Sequence, residues 1–443
     1  MAVTPLAVFR PMLLLLLVFN CRVLTTKGLH TGFSNLHLSQ RSFRTLANSS
    51  QIRMSATSSS SSSPSEAASL KVLCQVTKRA CDALTPMIIS IYNSIQLEAT
   101  TKGSSESKSK VKADDSAFTI ADGAVQHLLA KEFLGSIGVG SIVGEEECEV
   151  NLSRQPFMID DLVVPDEFVR IIEKARGAIQ ELAKEISRDA ELYKSLTVFI
   201  DPIDGTREFV NGKGEQCTVC VGFADRKGRA VAGVVYRPLT DPPTWAAGAL
   251  SEDYFESVLN NDATTGIKQR KGLLTTNGSV SPFLVALMDE LGLDRVPSGG
   301  AGNKMLMLLE GKGTAYIQDR GVSRWDTCAA QACIEASGGV LCKLTSFVKG
   351  DNEEGFSSYT YLQSDTNLDF EEGMSNLTPY NCKPSLGLKR GDPSRLAKCD
   401  EVKPYSNLCG IFALARAENT NDIRKTILEG ITNASKLSPP AYD

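Results

Sequence analysis

Thr197-Val-Phe-Ile-Asp201-Pro-Ile-Asp204-Gly-Thr206 begins as an apolar strand and ends in acids. The strand Thr197 to Ile200 delivers Asp201 at its end, where the chain leaves the sheet. Pro202 fixes φ and donates no N–H, so it sets the turn. Asp204 then falls back near Asp201, with the Ile203 carbonyl between them. Two carboxylates and a carbonyl converging on one point form an oxygen cage for a hard cation such as Mg²⁺. Gly205 and Thr206 open a helix, and the free N–H groups of a helix start hold phosphate oxygens. Without a cation, each acid would raise the other's pKa at the end of a buried strand. A turn capped by paired surface acids leaves that repulsion unexplained.

Outward from this stretch the chain reads as alternating elements. Upstream, Glu66 to Ile95 carries apolar residues at helical spacing. Thr100 to Asp115 is a Gly/Ser/Lys loop, a helix follows Asp122, and Val139 to Val143 is a strand. Cys148 to Leu196 is an insertion holding an amphipathic helix around Phe168 to Ile186. Downstream come strands at Gln216 to Ala224 and Ala230 to Tyr236. After them lie a strand (Leu273 to Thr276), a helix (Pro282 to Leu291), a helix behind a Gly-rich turn (Gly299 to Glu310) and a strand (Thr314 to Gln318). Asp326 starts a helix that stops at Gly338-Gly339. Thr345 to Tyr405 is polar and turn-rich, a surface excursion. A strand (Leu408 to Ala415) and a helix (Asn419 to Ala434) close the chain. The expected organisation is a leader over 1–65, an N-terminal α+β subdomain over 66–270 with the insertion 148–196, and a C-terminal α/β subdomain over 271–443 with the long loop 345–405.

Composition narrows the chemistry. Of 47 Lys+Arg, six precede the first acid, Glu66, which leaves 41 basic against 52 acidic residues beyond it, a net of −11. Such a body is a poor nucleic-acid binder. Of three histidines, His30 and His37 fall in the leader and only His127 remains, so histidine-based triads and phosphotransfer are excluded as readings. Twelve scattered cysteines suggest no disulfide framework, and Cys217-x-x-Cys220 sits in a strand pattern without a second pair at zinc spacing. Catalysis must rest on carboxylates and metal. The apolar run Met12 to Phe19 is too short to span a bilayer and fits a signal peptide. The acid-free, Ser-rich stretch behind it adds a transit-like segment. That layout fits import into a plastid, the alternative being a secretory or Golgi leader.

The motif Asp201 to Thr206 resembles the D-P-[IL]-D-G-T signature of the inositol monophosphatase superfamily. Thr119-Ile-Ala-Asp122, Gly144-Glu-Glu146 and Trp325-Asp326 with Ala330, Glu335-Ala336 and Gly338-Gly339 are similar to its three other motifs, all in family order. The haloacid-dehalogenase phosphatases place their acids two apart, not three. The resemblance implies a layered αβαβα sandwich of class α+β and a lithium-sensitive phosphomonoesterase. It implies two or three Mg²⁺ ions held by Glu145, Asp201, Asp204, Asp326 and the Ile203 carbonyl. Asp122 and Thr206 would orient and deprotonate the attacking water. The partner expected is a small phosphate ester, with no nucleic acid and no membrane.

Gly299-Gly-Ala-Gly-Asn-Lys304 before a helix resembles the 3'(2'),5'-bisphosphate nucleotidases. In that group the residues matching Gly300 and Lys304 contact nucleotide. The expected substrate site is therefore Gly205, Thr206, Ser279, Gly300, Lys304 and Asp326, acting on the 3'-phosphate of adenosine 3',5'-bisphosphate. Ser279 stands where those enzymes often carry a histidine. The alternatives are an inositol polyphosphate 1-phosphatase, which typically has Asp-Ser-Thr where this chain has Asp204-Gly-Thr206, and a non-catalytic phosphate sensor.

Overall fold

The strands read around the Asp201 motif assemble into one six-stranded sheet. Its order across the sheet is Tyr254–Val258, Thr244–Ala249, Ala230–Arg237, Thr218–Ala224, Thr197–Asp204, Ser141–Gly144. Only the last pair is parallel. A five-stranded sheet follows, ordered Asp294–Pro297, Gly272–Thr275, Ala315–Gln318, Ile411–Leu414, Val340–Lys343. These are seen in a computed structural model that describes residues 68–102, 108–111, 117–259, 271–319, 322–345, 358–365, 404–405 and 409–440. The expected leader, and most of the excursion expected over 345–405, lie outside the described residues. Among the described residues no helix is long and apolar enough to cross a membrane.

Side chains alternate across each strand, so each face shows what it packs on. Val198, Ile200, Val219 and Val234 on one face of the six-stranded sheet share a core with the helices Leu70–Lys102 and Ile120–His127. The helix Asp166–Ala183 packs on the first of these. The opposite face, with Phe199, Cys220, Val235 and Ala246, meets the helices Ala301–Leu309 and Arg324–Ala336. Leu274, Tyr316, Leu341 and Ile411 of the five-stranded sheet cover those two helices. The far face of that sheet, with Leu273, Ile317, Phe412 and Leu414, packs on Pro282–Leu291 and Asn421–Leu437. Helix, sheet, helix, sheet, helix is the αβαβα order expected.

The middle layer is seated by missing side chains. Gly222, Gly233 and Gly248 stand side by side on three neighbouring strands. A Cβ on Gly233 would lie 2.5 Å from the Ala329 carbonyl oxygen, and one on Gly222 would lie 2.4 Å from the Ala329 nitrogen. The helix Arg324–Ala336 therefore rests with its backbone directly on the sheet. Gly233→Val is expected to cost about 1–3 kcal/mol through overpacking. A denaturant midpoint unchanged from wild type would remove this account of the helix seat.

Three expectations need correction. The helix expected after Asp122 begins at Ile120, with Asp122 in its first turn, because Thr119 is the N-cap. The excursion is not all surface, since Tyr359 and Tyr361 are buried against the middle layer. The first helix also runs on to Lys102, past the expected loop start at Thr100.

Candidate active site

A fault in strand pairing brings the two motif acids together. Residues three apart on a regular strand point to opposite faces. Against the neighbouring strand, Asp201 pairs with Cys220 and Asp204 with Thr218, so three steps on one strand match two on the other. This bulge contains Pro202, which has no N–H to lose, and turns Asp204 back to the face of Asp201. Asp201, Asp204 and Asp326 each offer an oxygen within 4.8 Å of the others'. Gly205 follows at φ +97°, a conformation that suits glycine, and starts the short helix Thr206–Val210.

Two helix starts bring in the remaining acids by one device. Thr119 and Ser323 are N-caps, and the aspartate three residues on, Asp122 or Asp326, accepts back from the cap's N–H. The Thr119 N–H bonds Asp122 Oδ2 at 2.8 Å, and the Thr119 hydroxyl reaches the same oxygen at 2.5 Å. Asp122 Oδ1 is left facing the Thr206 hydroxyl, 2.9 Å away. The Ser323 N–H bonds Asp326 Oδ2 at 2.5 Å. Asp326 is thus the third helical residue, with Ser323 as the cap.

The electrostatics ask for positive charge. Asp201 is 1% exposed, and its Oδ1 has no hydrogen-bond donor. Burial, then the charges of Glu145, Asp204 and Asp326, push its pKa well above the ordinary carboxylate value. Burial, with Asp204 and Glu145, pushes Asp326 from an ordinary 3.8 to about 8. Burial also raises Asp204, opposed by Lys304 and by donors from Ala301, Gly302 and Thr218. An orphaned buried carboxylate oxygen beside two further acids fits a hard divalent cation with oxygen ligands.

The metal-free protein should show this strain as a pH effect. A carboxyl at about 8 when folded and near 3.8 when unfolded makes the folded state hold the extra proton between those values. Stability in EDTA is therefore expected to fall as pH rises from 5 to 8, and Mg²⁺ should remove the fall. A flat melting temperature across that range in EDTA would sink this reading.

The other expected residues fall in several places. Glu145 donates its N–H to the Ile200 carbonyl at 3.0 Å, and its charge is felt at Asp201 and Asp326, although it lies outside the tight trio. The Ile203 carbonyl sits 3.0 Å from the Thr206 hydroxyl. Gly300 has φ +62° and precedes the helix as expected, but the N–H groups of Ala301 and Gly302 go to the Asp204 carboxylate at 2.8 and 2.6 Å. Lys304 is 3% exposed and donates to the Gly300 carbonyl at 2.7 Å. Its ammonium lies over the Tyr316 ring, and burial lowers its pKa against the pull of Asp204, Glu208 and Asp326. Ser279 is exposed. Cys217 and Cys220 are buried free thiols.

Sequence reasoning missed the polar frame around this centre. Gln216 accepts from the Gly299 N–H at 2.7 Å and from Asn277 at 2.8 Å, while Asn277 also donates to Glu208 at 3.0 Å. Thr218 donates to Asp204 at 2.8 Å. The signal that could have found them is the place of Thr218 at the start of the strand beside the motif and of Gln216 in the turn just before it.

The profile of the inositol monophosphatase family matches residues 70–364. The 3'(2'),5'-bisphosphate nucleotidase 1 of Rattus norvegicus is 30% identical over 241 residues, covering 50% of this chain and 70% of the relative. The corresponding protein of Mus musculus is 29% identical over 230 residues with the same coverage. The Golgi-resident adenosine 3',5'-bisphosphate 3'-phosphatase of Bos taurus is 29% identical over 192 residues, 40% of this chain and 50% of the relative. The extragenic suppressor protein suhB of Bartonella henselae aligns over 81% of this chain and 98% of its own at 12% identity, with a TM-score of 0.44. The family profile spans most of the described fold and includes all four motif acids as well as Asp122. The chain is a phosphoric monoester hydrolase belonging to the inositol monophosphatase family.

Proposed function

We propose that the protein is a Mg²⁺-dependent phosphatase removing the 3'-phosphate of a 3',5'-bisphosphate nucleotide. The observation that carries the catalytic part is the Asp122–Thr206 contact beside the Asp201–Asp204–Asp326 trio. Asp201, Asp204 and Asp326, with Glu145 and the Ile203 carbonyl, would hold the cations. Bound there, Mg²⁺ supplies Lewis-acid stabilisation of phosphoryl charge and lowers the pKa of water.

The chain's own residues account for the proton. Asp122 is fixed by Thr119 and accepts from the Thr206 hydroxyl, which leaves the Thr206 oxygen lone pairs free to accept from a water. As that water attacks phosphorus, its proton passes to Thr206 while the Thr206 proton passes to Asp122. The P–O ester bond breaks, the leaving oxygen takes up a proton from solvent, and Asp122 returns the proton it received to solvent. Gly205, at the start of the Thr206 helix, presents backbone to the phosphate.

Nucleotide is favoured over inositol phosphate by the bisphosphate nucleotidases and the adenosine 3',5'-bisphosphate 3'-phosphatase among the relatives. The Golgi-resident relative supports the secretory or Golgi alternative for location. The plastid location expected from the sequence rests on the composition of residues 1–65 alone.

The test is phosphate release from adenosine 3',5'-bisphosphate and from inositol 1,4-bisphosphate, with Mg²⁺ and with or without Li⁺. Faster, lithium-inhibited release from the nucleotide is expected. Preference for the inositol would overturn the substrate assignment. Release from neither would favour a phosphate sensor.

A further inference from the structure

We propose that Arg324, acting with Tyr361 and Tyr405, is a positioning group for the metal-holding acids. The described parts of the excursion, 358–365 and 404–405, would then belong to the site. This inference rests on the cation reading of Asp201, Asp204 and Asp326.

Arg324 is the first residue of the helix that carries Asp326, and it is fully buried. A guanidinium out of water is costly unless its donors are used. Its Nε donates to the Thr360 carbonyl at 2.7 Å, and the group lies 5.6 Å from the centre of the Tyr359 ring. Its backbone N–H is one of those a helix start leaves without an intrahelical acceptor. That N–H goes to the Tyr405 carbonyl at 2.8 Å. Tyr405 accepts from φ +63°, a backbone conformation that a tyrosine keeps only when its surroundings hold it there. Farther along the helix, the Tyr361 hydroxyl donates to Gln331 at 2.6 Å and lies 3.3 Å from the Thr327 hydroxyl. Two segments distant in sequence thus grip the first turns of one helix.

An independent contact links the same segments to the motif strand. The rings of Tyr361 and Tyr405 both meet Phe199 edge-on, each pair with centroids 5.4 Å apart. Phe199 lies two residues before Asp201, on the same face of the strand. One aromatic cluster therefore touches the element that presents Asp201 and the element that presents Asp326. Mg²⁺ demands near-ideal geometry from its ligands, so the relative placement of these two carboxylates sets its affinity. Arg324 acts on the cation only through Asp326 and its helix.

The experiment is a thermal-shift titration of the full chain with Mg²⁺, comparing wild type with Arg324→Met, Arg324→Lys and Tyr361→Phe. Tyr361→Phe keeps the ring on Phe199 and removes one hydroxyl, so it decides the matter alone if Arg324→Met does not fold. The half-saturating Mg²⁺ concentration is expected to rise roughly 10-fold or more in Arg324→Met, the range for groups that orient metal ligands. A smaller rise is expected in Tyr361→Phe. Arg324→Lys, which restores a cation beside Tyr359, should recover part of the lost affinity. An unchanged half-saturation with only a lowered melting temperature would make these residues mere supports and overturn the inference. A wild-type protein that Mg²⁺ does not stabilise at all would instead overturn the cation reading, and the inference with it.

Discussion

Asp201→Asn is expected to lower kcat/KM by about a thousandfold or more while raising the melting temperature in EDTA. The two effects have one origin. Asp201 is buried among Asp204, Asp326 and Glu145, and one of its oxygens meets no donor. The amide has the same shape, carries no charge, and can donate to a neighbouring carboxylate, so the metal-free fold is relieved of repulsion. With Mg²⁺ present the same change removes a ligand from the cation site. Metal-supplied charge stabilisation is worth several kcal/mol, and about 1.4 kcal/mol is tenfold in rate. An acid held for structure alone would lose stability on this change. Wild-type turnover by the variant would refute the metal assignment.

Thr206→Val is expected to reduce kcat by about 10²–10⁴, the usual contribution of a positioned acid–base group. KM and the half-saturating Mg²⁺ concentration should stay near wild type. Valine keeps the volume and deletes the hydroxyl that meets Asp122 at 2.9 Å. Asp122→Asn should give a similar loss without melting the helix start, because its remaining carbonyl oxygen can still accept from the Thr119 N–H. Both assays follow phosphate release at saturating Mg²⁺. A fall of less than tenfold in either variant would mean that another group takes the proton from water.

The site's acids were legible because each is announced by local chemistry. A β-branched and aromatic strand ends in Asp201, and a Ser or Thr stands three residues before Asp122 and before Asp326. The return of Asp204 toward Asp201 was read from the Pro202 turn, but not the bulge that achieves it, because the bulge exists only against the partner strand. The layers were legible from alternating strand and helix patterns. The depth of the middle layer was not, since Gly222, Gly233 and Gly248 lie on separate strands and meet only once the sheet forms. The glycines and lysine at Gly299–Lys304 read as an anion cradle. In the fold, Asp204 takes two of its N–H groups and Lys304 lies buried. Tyr359 and Tyr361 sit in a polar stretch too short to show a pattern, and their burial comes from contacts with Gly410 and Gln331.

The two capping boxes bear on how such a chain could lose its activity over generations. Asp122 and Asp326 each close the start of a helix as well as serving the centre, so most replacements there weaken folding and are purged on that account alone. Asp201 carries no such second duty, and its neutralisation relieves the empty fold. A lineage released from selection for turnover would therefore drift first at Asp201. A descendant that had become a silent binder would keep both helix aspartates as relics of an enzyme.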